Sequence, residues 1–219
     1  AALIPYLHSF KEAFVLISTG TWCISLNPFN HSMLTDYELH QDCLCFLSYK
    51  AVRIKASRLF AGHEHEQQVK LLAEHFKKPI DYYATVKYDA LLLRKKQHNN
   101  ASQTVNDSNV MIQQSEFKER DLKKFATYEQ AYHQLMCDIM SQQVHALKLV
   151  LQDNIKQIFV DGGFSKNDVY MNLLATSFRE MEIYAAAVSH ASALGAALVM
   201  HEHWNKNAIP DNLIELKKY

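Results

Sequence analysis

The sequence predicts an α/β domain, and its last third carries the clearest signals. There, β-prone runs at 157–160 and 182–184 alternate with helix-prone runs at 165–178 and 189–203. A stretch at 127–151 repeats apolar residues at helical spacing and predicts the longest helix. Strands that alternate with helices are typical of a sheet covered by a helical layer. The expected fold is therefore a sheet packed against helices.

The first half predicts two hairpins followed by a helix. Short β-prone runs at 14–18 and 22–26 are separated by a turn that contains glycine, which is a hairpin signal. The runs at 43–49 and 51–55 resemble a second hairpin, and apolar periodicity then predicts a helix at 57–76. From 94 to 124 the composition becomes polar, which predicts a loop. A length of 219 residues allows one large domain or two small ones.

Composition excludes several classes of partner. The chain has 23 Lys and Arg against 23 Asp and Glu, so it lacks the basic excess that nucleic acids attract. The longest apolar stretch, 185–200, is interrupted by polar residues and is too short for a membrane span of roughly 18 residues. Four cysteines in a chain of this size form no evident disulfide framework. We therefore expect a cytoplasmic protein with neither a nucleic-acid nor a membrane partner.

The strongest candidate binding motif runs from Ile158 to Asn167. A buried strand leads through Asp161, Gly162 and Gly163 into a helix start, where free N–H groups and the helix dipole favour an anion. Gly163 lacks a Cβ, so a phosphate or an adenosine has room against the backbone, and Asn167 is placed to hydrogen-bond it. The alternative is that the two glycines only make a tight strand-to-helix turn.

A second candidate is the tip of the first hairpin, 18–21. It combines Gly20 with three hydroxyl side chains, including that of Thr21. Hydroxyls and main-chain N–H groups in such a turn suit phosphate oxygens. A plain hairpin turn is the alternative.

Other clusters favour structural roles. His63 and His65, like His201 and His203, are two residues apart, so on a helix they face different ways and lack the spacing of a zinc site. Cys43 and Cys45 alternate on a strand and are expected to be core thiols. Ser165 with Asp168 three residues later predicts a capping box, and the small residues at 192–197 predict a helix packed closely on the sheet.

In this order, the segments STGTW, VDGGFSKN and SALGAAL resemble the C-terminal half of the FGGY carbohydrate kinases, and most of all their rhamnulokinase-like branch. The resemblance covers nearly the whole chain and implies that residues 1–219 form one nucleotide-binding domain, with the polar loop at 94–124 inside it. It implies an actin-like, ribonuclease-H-like lobe that closes over ATP and Mg²⁺ for phosphorylation of a ketose such as rhamnulose, fuculose or xylulose. It also implies that Gly20 and Thr21 touch the β- and γ-phosphates, Gly163 the α-phosphate and Asn167 the nucleotide.

The chain departs from the family pattern at several points. A Gly-Leu-Thr-Arg-Gly-like segment is not found at 115–124, and His190 stands where an acidic residue is common. The family's general base is an Asp that would lie just upstream of Ala1, and its N-terminal sugar-binding lobe has no counterpart here. The resemblance thus implies three partners: the sugar, ATP and that N-terminal lobe. A homodimer is also consistent with it. It further implies that these 219 residues alone are inactive. A non-catalytic nucleotide-binding or scaffold domain is the alternative.

Overall fold

The computed structural model describes residues 1–94, 116–187, 191–210 and 212–219. Its strands are β1 (Phe14–Thr19), β2 (Cys23–Asn27), β3 (Cys43–Leu47), β4 (Arg53–Leu59), β5 (Gln157–Gly162), β6 (Glu182–Ala187) and β7 (Glu215–Lys218). Its α-helices are α1 (Ile4–Ser9), α2 (Asp36–His40), α3 (Ala61–Phe76), α4 (Ala90–Arg94), α5 (Tyr128–Lys148), α6 (Asp168–Ser177) and α7 (Ala191–Trp204). Short 3₁₀ helices span Ile80–Thr85, Glu116–Glu119, Leu122–Lys124 and Gly163–Lys166.

Within the described residues, the strands form one mixed sheet in the order β3-β4-β2-β1-β5-β6-β7. β1 pairs in parallel with β5, and β5 in parallel with β6, whereas the other neighbours are antiparallel. Ser18 lies opposite Asp161 and Thr19 opposite Gly162. The carboxyl ends of β1 and β5 therefore bring the two predicted glycine turns side by side, although well over a hundred residues separate them in sequence.

The sheet divides the core in two because successive strand residues point to opposite faces. Val15 and Ile17 of β1 join the larger cluster under α3, α5 and α6, while Phe14 and Leu16 face a smaller cluster that includes Tyr6 of α1. The apolar stripe expected on the long helix is buried, at Ala131, Leu135, Ile139, Leu147 and Val150. Both predicted hairpins and the α/β fold class are confirmed.

Some element boundaries were wrong. β4 continues to Leu59, because its residues pair with β2 as far as Leu59 opposite Cys23, so α3 begins at Ala61 rather than at residue 57. α6 begins at Asp168, after a 3₁₀ turn, and its N-cap is Asn167, whose side chain accepts a hydrogen bond from the Tyr170 amide. The capping box expected at Ser165 is therefore wrong: its hydroxyl donates to the Gly162 carbonyl.

Two packing predictions also need correction. Cys45 is exposed, because β3 is an edge strand that leaves the core after the buried Cys43. Gly195 packs closely on the segment before α1 rather than on the sheet, since a Cβ there would lie 2.1 Å from the Ala1 carbonyl oxygen. Most of the predicted polar loop, and His190, fall outside the described residues. No helix in the described ranges has the length and apolar character to cross a membrane.

Candidate nucleotide site

The tip of the β1–β2 hairpin is held in place by the start of α3. The His63 amide donates to the Thr21 carbonyl at 3.1 Å. Gly62 approaches so closely that a Cβ there would lie 1.8 Å from the Gly20 carbonyl oxygen. Gly20 and Thr21 themselves are exposed, and a Cβ on Gly20 would meet nothing closer than 4.0 Å. These contacts with Gly62 and His63 hold the turn in place and leave Gly20 and Thr21 open to solvent.

The turn after β5 is fastened to β1 through Thr19. The Thr19 hydroxyl donates to the Asp161 carbonyl at 2.5 Å and accepts from the Phe164 amide at 3.0 Å. Gly162 has φ +90°, and a Cβ there would lie 1.9 Å from the Thr19 carbonyl oxygen. Only glycine suits this backbone, so Gly162 has a packing role.

Gly163 is different from its neighbour. A Cβ built on it meets no atom within 4 Å. It faces the same open space as Gly20 and Thr21, and begins the 3₁₀ turn that leads to Asn167 and α6. The packing of the described residues therefore does not by itself require a glycine at 163.

The two turns open into one cleft of about 610 Å³. Of the five predicted binding residues, Gly20, Thr21, Gly163 and Asn167 line it, whereas Gly162 does not. Another part of the lining, the apolar wall, comes from the segment after α3, and Val69 of α3 also lines the cleft. This wall consists of Ile80, Tyr83, Ala84 and Val86. The cleft is thus lined both by glycine turns, which suit an anion, and by apolar side chains, which suit a flat apolar group.

Hydrogen bonds anchor the apolar wall to the helices behind it. The Tyr88 amide donates to an Asp168 carboxylate oxygen at 2.9 Å, at the start of α6. The Asp89 amide donates to Nε2 of His133 at 3.0 Å, on α5. The wall is therefore fixed relative to the glycine turns, as a preformed binding site requires.

Charge in the cleft is mixed. Lys70 forms an ion pair with Glu66 at 2.7 Å, and Lys87 and Lys166 add two further cations. Behind the glycine turn, burial raises the pKa of Asp161, while its hydrogen bond from the Gly162 amide opposes the shift. In the part of the chain that the structure describes, no group of three His, Cys, Asp or Glu side chains forms a metal site. The cleft thus offers the cations of Lys87 and Lys166 to an anion.

The sequence analysis did not identify several residues that shape the site. Gly62 and Thr19 hold the two turns, but their roles depend on contacts between distant segments. Gly62 had one signal, since it is one of only five glycines. His65 lines the cleft and bonds to Tyr132, which no local pattern indicates.

This sheet, with two glycine turns at the carboxyl ends of neighbouring parallel strands, is that of an actin-like ATPase lobe. The model of the family described as "Carbohydrate kinase FGGY, C-terminal domain" matches residues 11–208. The chain therefore belongs to the FGGY carbohydrate kinase family, as a C-terminal domain. By sequence, no curated relative matches it.

Several solved structures share the fold, among them two sugar kinases and a glycerol kinase. A carbohydrate kinase from Novosphingobium aromaticivorans has a TM-score of 0.65 and 17% identity, over 99% of this chain and 46% of that one. A xylulose kinase from Lactobacillus acidophilus has a TM-score of 0.62 and 12% identity, over 100% and 44%. A glycerol kinase from Plasmodium falciparum, with ADP, has a TM-score of 0.55 and 13% identity, over 94% and 42%. The chain thus spans less than half the length of each.

Proposed function

We propose that this chain is the nucleotide-binding lobe of a sugar kinase that transfers the terminal phosphoryl group of ATP to a ketose hydroxyl. One observation carries the proposal: Gly20, Thr21 and Gly163, from two distant turns, line a single cleft that is also lined by the apolar wall. A nucleoside triphosphate has this polarity, with an anionic end and a flat apolar base. The family membership supports sugar phosphorylation in general.

The glycine turns and the apolar wall would bind different parts of the nucleotide. The phosphates lie between the hairpin tip and Gly163, where main-chain N–H groups and the Thr21 hydroxyl bind oxygens. The base lies against Tyr83 and Val86. Phosphoryl transfer needs little covalent chemistry from the protein, so catalysis consists of positioning the reactants in line and stabilising charge. The lobe contributes that positioning for the nucleotide.

Magnesium is implied by ATP chemistry, but the described residues do not form a cage for it. Mg²⁺ usually keeps several waters and binds through substrate phosphates with one or two carboxylates. Glu66 is paired with Lys70, and Asp168 accepts from the Tyr88 amide, so both cleft carboxylates are engaged. We assign no step in this lobe to the ion.

The sugar, the general base and the partner lobe belong to the same proposal. The motifs favour the rhamnulokinase-like branch, and hence rhamnulose, fuculose or xylulose, with an N-terminal lobe that supplies the sugar contacts and a catalytic Asp. A cytoplasmic location and a homodimer are compatible with this proposal. The alternative is a lobe that binds a nucleotide without catalysis.

The test compares the complete protein with its Gly163→Val variant. Calorimetry should show that ATP binds to the wild type, and that the valine side chain, which projects into the cleft, weakens binding at least tenfold without lowering the melting temperature. A coupled assay should show ADP release that depends on one of the three ketoses. ATP binding without ketose-dependent ADP release would favour the non-catalytic alternative, and equal ATP affinity in both proteins would contradict the assignment of Gly163.

A further inference from the structure

An uncharged chain of hydrogen bonds runs beneath the cleft and links α3, α5 and α6. The hydroxyl of Tyr132 lies 3.0 Å from Nε2 of His65 and 2.6 Å from Nδ2 of Asn167. The other end of the Asn167 amide, Oδ1, accepts from the Tyr170 amide at 3.0 Å. His65 and Tyr132 are both buried, with exposed fractions of 8% and 0%. Three helices therefore meet at one phenol group.

The direction of each bond follows from its donors. The Tyr170 backbone N–H can only donate, so the facing atom of Asn167 is the amide oxygen and Nδ2 points to Tyr132. Nδ2 can also only donate, so the phenol oxygen accepts from it. Within the described residues, His65 Nε2 is the only other hydrogen-bond partner of that oxygen, so the single phenol proton is directed toward His65. His65 Nε2 must then be an acceptor. A neutral imidazole whose Nε2 accepts carries its proton on Nδ1.

Burial supports the neutral form. It lowers the pKa of His65 to about 4 and raises the pKa of Tyr132, so both groups are uncharged near neutrality. The imidazole is flanked edge to face by the rings of Tyr83, at 4.9 Å, and Phe164, at 5.2 Å. These contacts restrict its rotation. Nδ1 has no hydrogen-bond partner among the described residues, although His65 lines the cleft.

The position of His65 along α3 indicates which part of a nucleotide it meets. Gly62, three residues earlier, packs against the phosphate-binding tip, and Val69, four residues later, belongs to the apolar end of the cleft. Residues three and four apart share a helix face. His65 therefore lies between the phosphate end and the base end, where a nucleotide has its ribose.

We propose that His65 is a nucleotide-binding residue whose Nδ1–H donates to a ribose hydroxyl, and that Tyr132 is a positioning residue that sets the orientation of both His65 and Asn167. This inference rests on the proposed nucleotide site. An uncharged donor suits an uncharged hydroxyl, because it needs no counterion and loses less hydration than a cation would on binding.

The test measures ATP affinity of the complete protein by calorimetry for four variants. Tyr132→Phe and His65→Leu should each weaken ATP binding by about two- to twelvefold, the range expected for one neutral hydrogen bond. His65→Gln, which keeps one acceptor and one donor, should restore most of the affinity. Tyr128→Phe is the matched control, since Tyr128 lies one turn earlier on α5 and its buried hydroxyl has no partner within the described residues.

The ligand identifies the contact. Dideoxy-ATP, which lacks both ribose hydroxyls, should bind more weakly than ATP to the wild type, and the difference should vanish in His65→Leu. A difference that persists unchanged in His65→Leu would overturn the ribose assignment, as would a Tyr132→Phe protein that binds ATP like the wild type. If the wild type binds no ATP at all, the proposed function fails, and that result is distinguishable because it precedes any comparison of variants.

A second measurement does not depend on ligand affinity or on the folding of a variant. Long-range ¹H–¹⁵N correlation spectra of the wild type should show His65 with a proton on Nδ1 and none on Nε2 at neutral pH. A proton on Nε2 would refute the hydrogen-bond chain, whatever the binding data show.

Discussion

Thr21→Val separates a phosphate contact from a structural role at the hairpin tip. Thr21 is exposed, and its hydroxyl makes no hydrogen bond to the described residues, while its carbonyl is held by the His63 amide. Valine keeps the β-branched shape and the backbone bond but cannot donate to a phosphate. A hydrogen bond to a charged group is worth roughly 1.5 to 3 kcal/mol, so kcat/KM should fall by about ten- to more than a hundredfold.

Thr19→Val provides the control for this variant. Thr19 lies two residues earlier, but its hydroxyl is buried and satisfies both the Asp161 carbonyl and the Phe164 amide. Leaving that amide unpaired costs about 1 to 3 kcal/mol, and each kcal/mol lowers Tm by about 2 to 4 °C in a chain of this size. Steady-state kinetics of the complete enzyme, measured beside melting curves, should therefore show lost turnover for Thr21→Val and lost stability for Thr19→Val. Unchanged kinetics in Thr21→Val would refute the phosphate contact.

Two further predictions concern pH and the paired glycines. Burial lowers the pKa of His65 to about 4 in the folded protein. As the pH falls below about 6.5, the unfolded chain is therefore protonated at this residue before the folded protein is. The stability that the neutral ring contributes above that pH is lost progressively toward pH 4. Denaturant titrations should show that the unfolding free energy drops by about 2 kcal/mol more in the wild type than in His65→Gln between pH 8 and pH 5, and equal drops would contradict the burial of a neutral ring. Gly162→Ala should destabilise the fold, because φ is +90° there and the new Cβ would lie 1.9 Å from the Thr19 carbonyl oxygen. Gly163→Ala should melt like the wild type. Similar melting temperatures for the two variants would contradict the packing role of Gly162.

The sequence predicts elements well where a local pattern specifies them. The first hairpin has short β-prone runs on both sides of a glycine turn, and β1 and β2 pair as expected, with Leu16 opposite Leu26. The long helix has both an apolar stripe and an N-cap, Thr127, whose hydroxyl accepts from the Gln130 amide. Here local and tertiary preferences agree, so the pattern alone suffices.

Boundaries fail where tertiary packing decides them. Residues 57–59 read as helix because apolar residues follow at helical spacing, yet Ser57 and Leu59 face the core from β4 and pair with β2. Ser57 donates to the Ala146 carbonyl of α5, a contact between segments far apart in sequence. The intrinsic helix or strand preference of a short segment is weak compared with such tertiary contacts.

The histidine cluster on α3 shows what sequence can exclude and what it cannot assign. The two-residue spacing argues that His63 and His65 face different ways, and this is confirmed. His63 stacks on Phe60 with ring centroids 4.4 Å apart, whereas His65 is buried against Tyr132. The spacing could reject a shared zinc ion, but the partner of His65 lies on another helix, 67 residues away. Only the fold brings those two side chains together.

The glycines of the site fall into two physical classes, and this division bears on the function. At Gly62 and Gly162 a Cβ would collide with the hairpin backbone, so the fold itself requires glycine there. At Gly20 and Gly163 the space that a Cβ would occupy is open and φ is not positive, so neither steric collision nor strain explains the absent side chain. Both open glycines line the same cleft, from turns that the sheet aligns. A chain with only five glycines uses two where its own packing has no need of them. The proposed function supplies a reason, since close approach of a ligand to the backbone needs an absent side chain, and a phosphate between the two turns is the ligand that we propose there, beside the Thr21 hydroxyl.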